Sequence, residues 1–132
     1  MKIVLDTNVI ISAAISHMGN PAKVVASTSD NEEIQLFLSD DILSEYKEVL
    51  SRPKLNISKE TQQFIIDTIT GTGVIIVPTN SSIPMIDESD RKFYDTAKAC
   101  NATLVTGNIK HYPTESFIMT PADFVAQIDQ SK

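Results

Sequence analysis

Two short apolar runs in this chain end in groups that could bind a ligand. Lys2-Ile3-Val4-Leu5 is followed by Asp6-Thr7-Asn8, and Leu104-Val105 by Thr106-Gly107-Asn108. Between them in the chain lie Glu45 and the acid-rich Asp87-Glu88-Ser89-Asp90, with Asp95 close behind. Carboxylates, amides and hydroxyls are oxygen donors. Hard divalent cations such as Mg²⁺ take oxygen ligands, and one or two carboxylates suffice when water or a substrate phosphate fills the other positions. Brought to one crevice, these residues would suit such an ion. Each also has an ordinary alternative. Asp6, Thr7 and Asp90 can cap helices, and Glu45 can be a solvated surface acid. Lys110-His111, a candidate contact for a substrate phosphate, can be an exposed basic pair in a loop.

The elements that must position these groups read as strands alternating with helices. Residues 2–6 form a short β-branched strand, followed by a helix over 8–16 that breaks at His17-Met18-Gly19-Asn20. Pro21 suits the first turn of a second helix reaching about Ser29. His17 falls in the break, as a surface loop residue. Ile34 to Leu38 is the second strand. Ser39 caps a helix to about Ser51, whose stripe of Ile42, Leu43, Tyr46, Val49 and Leu50 leaves Glu45 at its edge. A helix from Ser58 to Thr70 has Phe64, Ile65 and Ile69 as its apolar face and nothing chemical in it. Val74 to Val77 is the third strand, followed by a loop over 78–85. A helix from about Asp90 to Cys100 has Phe93, Tyr94, Ala97 and Cys100 as its stripe. At 3.6 residues per turn Asp90 shares the buried side, and Asp95 lies nearly opposite, in solvent. Thr103 to Thr106 and Phe117 to Met119 are the last strands. Thr120, with Pro121 at the first helical position, starts a helix to about Gln130. This alternation predicts a three-layer α/β/α fold around a central, mostly parallel sheet of four to five strands. In such sheets ligands bind beyond the carboxyl ends of the strands, where Asp6 and Thr106 stand.

Bulk properties narrow the class. The 132 residues make one domain, 1–132, and 42% hydrophobic with 21% charged residues is the composition of a soluble globular protein. No apolar run approaches a membrane span and no basic flank marks a signal peptide, so a cytoplasmic location is expected. Cys100, the only cysteine, cannot form an internal disulfide and falls on an apolar helix face, which makes it a core residue. The formal net charge of −6 argues against a protein whose whole task is unspecific nucleic-acid binding. It does not argue against a nuclease, whose clustered carboxylates a divalent metal can balance.

In this order, the segments Val-Leu-Asp6-Thr-Asn8-Val, Leu38-Ser-Asp-Asp-Ile-Leu-Ser-Glu45-Tyr, Asp87-Glu-Ser-Asp90-Arg-Lys-Phe-Tyr-Asp95 and Leu104-Val-Thr106-Gly-Asn108 resemble a PIN domain. The closing Ile118-Met-Thr-Pro121-Ala-Asp-Phe fits as well, and the resemblance covers nearly the whole chain. It is nearest to the group described as toxin components of bacterial toxin–antitoxin systems. The resemblance implies a parallel-stranded α/β sandwich that cleaves single-stranded RNA with Mg²⁺ or Mn²⁺. The family's first three acids fall on Asp6, Glu45 and Asp90, and Asn8 and Thr106 match its supporting polar positions. Its fourth acid falls on Asn108, a departure that removes a charge. Asp87 or Asp95 could supply the missing charge. The resemblance further implies a cognate antitoxin and, commonly, a homodimer.

Two rival readings stand beside this one. A non-catalytic PIN-like module with a degenerate metal site would bind RNA or a partner only. A phosphoryl-transfer enzyme would use Asp6 as nucleophile, since Asp6-Thr7-Asn8-Val9 is loosely similar to the opening of haloacid dehalogenases. That family wants an acid where Asn8 stands.

Overall fold

The structure, a computed structural model, describes residues 1–130. Five parallel strands form one sheet in the order β3-β2-β1-β4-β5. They are β1 (Lys2–Leu5), β2 (Gln35–Leu38), β3 (Gly73–Ile75), β4 (Thr103–Val105) and β5 (Ile118–Met119). The helices between them are α1 (Thr7–Ile15), α2 (Asn20–Asp30), α3 (Asp40–Leu50), α4 (Lys59–Thr72) and α5 (Arg91–Cys100), and α6 (Pro121–Gln130) follows β5. Parallel neighbours need a crossover: α1 and α2 supply it from β1 to β2, and α3 and α4 from β2 to β3, whereas β4 reaches β5 through the short turn Ile109–His111. Ile3, Val4 and Leu5 are successive residues of β1 and all are fully buried, so both faces of the central strand are covered. This is the three-layer α/β/α arrangement that the strand–helix alternation predicts.

The chain lays β2 and β3 to one side of β1, then returns to lay β4 and β5 on the other. The reversal puts the topological switch point between β1 and β4, where the connections leaving the two strands diverge and open a crevice. Register brings the two polar strand ends side by side there. Leu5 pairs with Val105, and the Asp6 amide donates to the Val105 carbonyl at 3.0 Å. Helix α5 crosses β1, β2 and β4 and buries Phe93 and Tyr94 completely, each such side chain contributing roughly 2 kcal/mol. It thereby fixes its own first turn over the crevice. Cys100 lies at the buried end of this helix, and burial pushes its thiol pKa up.

Two expectations need correction. Helix α4 packs through Ile65 and Ile69, one turn apart, while Phe64 is 71% exposed and not part of the core. The third strand begins at Gly73 rather than Val74 and is an edge strand, with Val74, Ile75 and Val77 exposed. Gly73 is required there, because a Cβ would come within 2.6 Å of both the Ile69 carbonyl oxygen and Leu38 Cδ2. Short 3₁₀ turns at Pro53–Leu55, Glu88–Asp90 and Ile109–His111 have no hydrophobic period to announce them. Among the described residues no helix is long and apolar enough to cross a membrane.

Candidate metal centre

Asp6 follows the last residue of β1 and occupies the N-cap position of α1, yet its side chain makes no capping bond. It turns into the switch-point crevice, buried, where Oδ2 accepts from Thr106 Oγ1 at 2.9 Å and from the Tyr112 hydroxyl at 2.7 Å. Among the described residues no hydrogen bond reaches Asp6 Oδ1. The direction of the Thr106 bond follows from its neighbours. Its oxygen already receives Asn8 Nδ2 at 3.3 Å and the Asn108 amide at 3.0 Å, so its single proton goes to Asp6. Asn8 completes the tie between strand ends, accepting the Gly107 amide at 2.8 Å. At Gly107 a Cβ would stand 3.2 Å from that same Asn8 oxygen, closer than side chains ordinarily pack.

Helix α3 presents Glu45 from its edge. Glu45 Oε2 accepts from Thr7 Oγ1, and Oε1 is ion-paired to Lys92 Nζ at 2.8 Å. The next residue, Tyr46, is buried beneath the site and donates its hydroxyl to the Leu5 carbonyl. Burial and then the charges of Asp6 and Glu45 hold its pKa well above the usual phenol range.

Asp90 closes the 3₁₀ turn that runs into α5 and likewise stands in an N-cap position without capping. Its pKa is pushed up to about 6, first by burial, then by the charges of Asp6 and Asp87, with Glu45 adding and His111 opposing. Three carboxylates from three separate segments are thus close enough to repel one another. Tyr112 registers the same field: burial and then Asp6 push its pKa far above the usual value, with Asp90 and Glu45 contributing.

The remaining candidates divide. His111 Nδ1 lies 3.8 Å from Asp90 Oδ2, on the rim. Lys110 is exposed and lines a separate hollow with Ile109, Pro113 and Glu115. Asn108 is exposed and serves through its backbone, donating to Thr106 Oγ1 and accepting from the His111 amide. Asp87 is exposed and commits its carboxylate to the amide and hydroxyl of Ser89, which hold its pKa down.

Asp95 is the clear reversal. It is 2% exposed rather than solvated, and its Oδ2 accepts the Ser81 amide at 3.0 Å. The 78–85 loop folds back over α5. Arg91 binds it too, donating to the carbonyls of Ser81 and Ile83. Asp95 acts electrostatically on Arg91 and Tyr94, not on Asp90. Its position is that of a loop anchor, outside the trio of acids.

Sequence reasoning missed Tyr112 and Lys92 and gave Thr7 only a cap. Tyr112 sits in a short irregular segment where no period shows which way a side chain turns. Lys92 follows Asp90 by two residues, so its nearness to that acid was legible, but its pairing with Glu45 depends on how α3 meets α5.

The donor set suits a hard cation in kind: carboxylates, hydroxyls and amide carbonyls, all oxygen ligands, with Asp6, Glu45 and Asp90 supplying negative charge. Among the described residues no group of three or more His, Cys, Asp or Glu side chains is placed, as it stands, to hold a metal ion by itself. An ion here would keep water among its ligands, as Mg²⁺ ordinarily does.

Known proteins are similar to this chain in both sequence and fold. An uncharacterized protein, MJ1680, of Methanocaldococcus jannaschii is 33% identical over 111 residues, covering 82% of this chain and 71% of its own. A chain in the crystal structure of VapBC2 from Rickettsia felis, bound to a DNA fragment from their promoter, shares the fold. It has a TM-score of 0.60 at 23% identity, over 91% of this chain and 97% of that one. The family described as PIN domain matches residues 2–110, which include every acid of the crevice, and the chain belongs to that family.

Proposed function

We propose that this protein is a metal-dependent endoribonuclease that hydrolyses phosphodiester bonds of single-stranded RNA. The observation that carries the reading is the nearness of Asp6, Glu45 and Asp90 at the switch-point crevice, where burial first and then the charges of neighbouring acids, Asp6 foremost, push the Asp90 pKa up to about 6. Asp6 would be the central ligand of the ion, Thr106 and Tyr112 both bonding its Oδ2. Glu45 and Asp90 complete the site directly or through water, and Asn8 holds the two strand ends in register. Bound Mg²⁺ or Mn²⁺ would supply an activated water and offset charge on the leaving oxygen. His111, on the rim beside Asp90, is placed to meet a substrate phosphate, and Lys110 stands further out. We assign the protein the role of toxin in a toxin–antitoxin pair, acting in the cytoplasm, with a cognate antitoxin and a homodimer as its expected assemblies. The VapBC2 pair named for the Rickettsia felis structure supports the antitoxin partner.

The test is a labelled single-stranded RNA incubated with the protein in EDTA, Mg²⁺ or Mn²⁺, beside Asp6→Asn. Cleavage that requires metal and vanishes in the variant is the expected result. Cleavage that survives in EDTA, or in the variant, would overturn it.

One observation favours a second reading, a non-catalytic module. Glu45 already holds an ammonium group, beside an exposed and uncharged Asn108. Titration with Mn²⁺ separates the two, because a degenerate site would not bind the ion.

A further inference from the structure

The Lys92–Glu45 pair bears on how much positive charge the crevice can accept. Resting on the metal-centre reading above, we propose that Lys92 is a built-in cation of this site and limits it to a single divalent ion. Three carboxylates, Asp6, Glu45 and Asp90, face the crevice, and Asn108 adds no charge. Asp87 is exposed and bound to Ser89, so solvent screens it. The Lys92 ammonium, 2.8 Å from Glu45 Oε1, reduces the local charge from −3 to −2, which one divalent cation balances.

This is not an ordinary surface pair. Both partners are mostly buried, with side chains 21% and 25% exposed, and both Glu45 oxygens are engaged, one by Lys92 and one by Thr7. Lys92 is held from three sides. Its Nζ also donates to the Ser89 carbonyl and lies 5.3 Å from the centre of the Phe93 ring. A lysine so fixed carries its charge in a set place. A second divalent ion bridging Glu45 would have to displace it or share Glu45 with it at close range, where like charges repel strongly in a partly desolvated cleft.

Calorimetric titration of the folded protein with Mn²⁺ tests this without reference to activity, using Asp6→Asn as the blank. The wild type should bind one ion. Lys92→Met, of similar length but uncharged, should bind Mn²⁺ about tenfold more tightly or take up a second ion, because a nearby positive charge has gone. Lys92→Arg should restore wild-type behaviour. Circular dichroism of each variant establishes that it is folded. Two Mn²⁺ ions in the wild type, or weaker or unchanged binding in a folded Lys92→Met, would overturn the role of Lys92 and leave the metal centre standing. Should Lys92→Met fail to fold, Lys92→Gln serves under the same criteria. No Mn²⁺ binding by the wild type would overturn both proposals together.

Discussion

Leaving aside α2, which follows Gly19 and so has no capping side chain, the helix starts of this protein fall into two groups. At α3, α4 and α6 the residue before the helix caps it. Ser39 accepts the Ile42 amide, Ser58 the Thr61 amide and Thr120 the Asp123 amide. At α1 and α5 the position holds an aspartate, at least as good a cap by type, and neither Asp6 nor Asp90 makes the bond. The capped helices leave their N-termini satisfied. Asp6 forgoes about 1 kcal/mol, whereas α5 continues a 3₁₀ turn that Asp87 caps, leaving Asp90 inside the helical run; the charge of Asp6 acts on Asp90. The lesson is that a group withheld from a local bond it is suited to make is being held by something further away. For Asp6 that is Thr106 and Tyr112, 100 and 106 residues along the chain.

The comparison can be broken most severely at Asp6. Asp6→Asn should abolish Mn²⁺ binding and RNA cleavage while leaving the fold intact by circular dichroism. Ser39→Ala should affect neither activity. Equal loss in both would erase the distinction between the two kinds of helix start.

Tyr112→Phe is a finer cut, removing one of the two donors that hold Asp6 Oδ2. Groups that orient a metal ligand typically contribute 10- to 100-fold to affinity, so Mn²⁺ should bind about tenfold more weakly in calorimetry. An unchanged affinity would mean that Thr106 alone orients Asp6.

Asp90 carries a stability cost that can be read in the metal-free protein. Its folded pKa of about 6 lies above the reference 3.8, so ionisation disfavours the folded state. The penalty is complete above about pH 6 and fades as pH falls toward 4. Fully buried, such a carboxyl would cost about 3 kcal/mol; in a cleft open to water about 1 kcal/mol is the realistic figure. Asp90→Asn should therefore be more stable than the wild type by about 1 kcal/mol at pH 8 in EDTA. The two denaturation curves should merge near pH 4. A variant less stable at pH 8 would refute the account in which burial and neighbouring acids disfavour the ionised Asp90.

The smallest effect belongs to the capped group. Ser58→Ala should lower stability by about 0.5–1 kcal/mol, a Tm change of roughly 2–5 °C. Mn²⁺ affinity should stay the same. A change in affinity would show that α4, remote from the acids, is coupled to the site.

Local chemistry made much of this molecule legible from its sequence. Alternating strand and helix patterns specify a parallel α/β sheet, because each pattern states which face of an element must leave water. The caps at Ser39 and Thr120 and the inward turn of Asp90 are decided within one helical turn, so nearby residues predict them, whereas Ser58, read as the first helical residue, proves to be the cap of α4. The errors have a common origin in distance along the chain. A helical wheel for α5 assumes one buried side and puts Asp95 in solvent. In the folded protein the 78–85 loop covers the other side and brings the Ser81 amide to Asp95. Phe64 differs because the neighbours of α4 select Ile65 and Ile69 instead.

From the sequence alone came the sheet, the helices and the identity of three acids that could share a site. Tertiary structure alone decided that β1 and β4 are neighbours across the switch point, that Tyr112 returns to Asp6, and that Lys92 meets Glu45. The division has a physical cause. Periodicity and capping are short-range preferences written into adjacent residues, whereas a carboxylate's partners depend on which distant segments packing brings within about 3 Å of it.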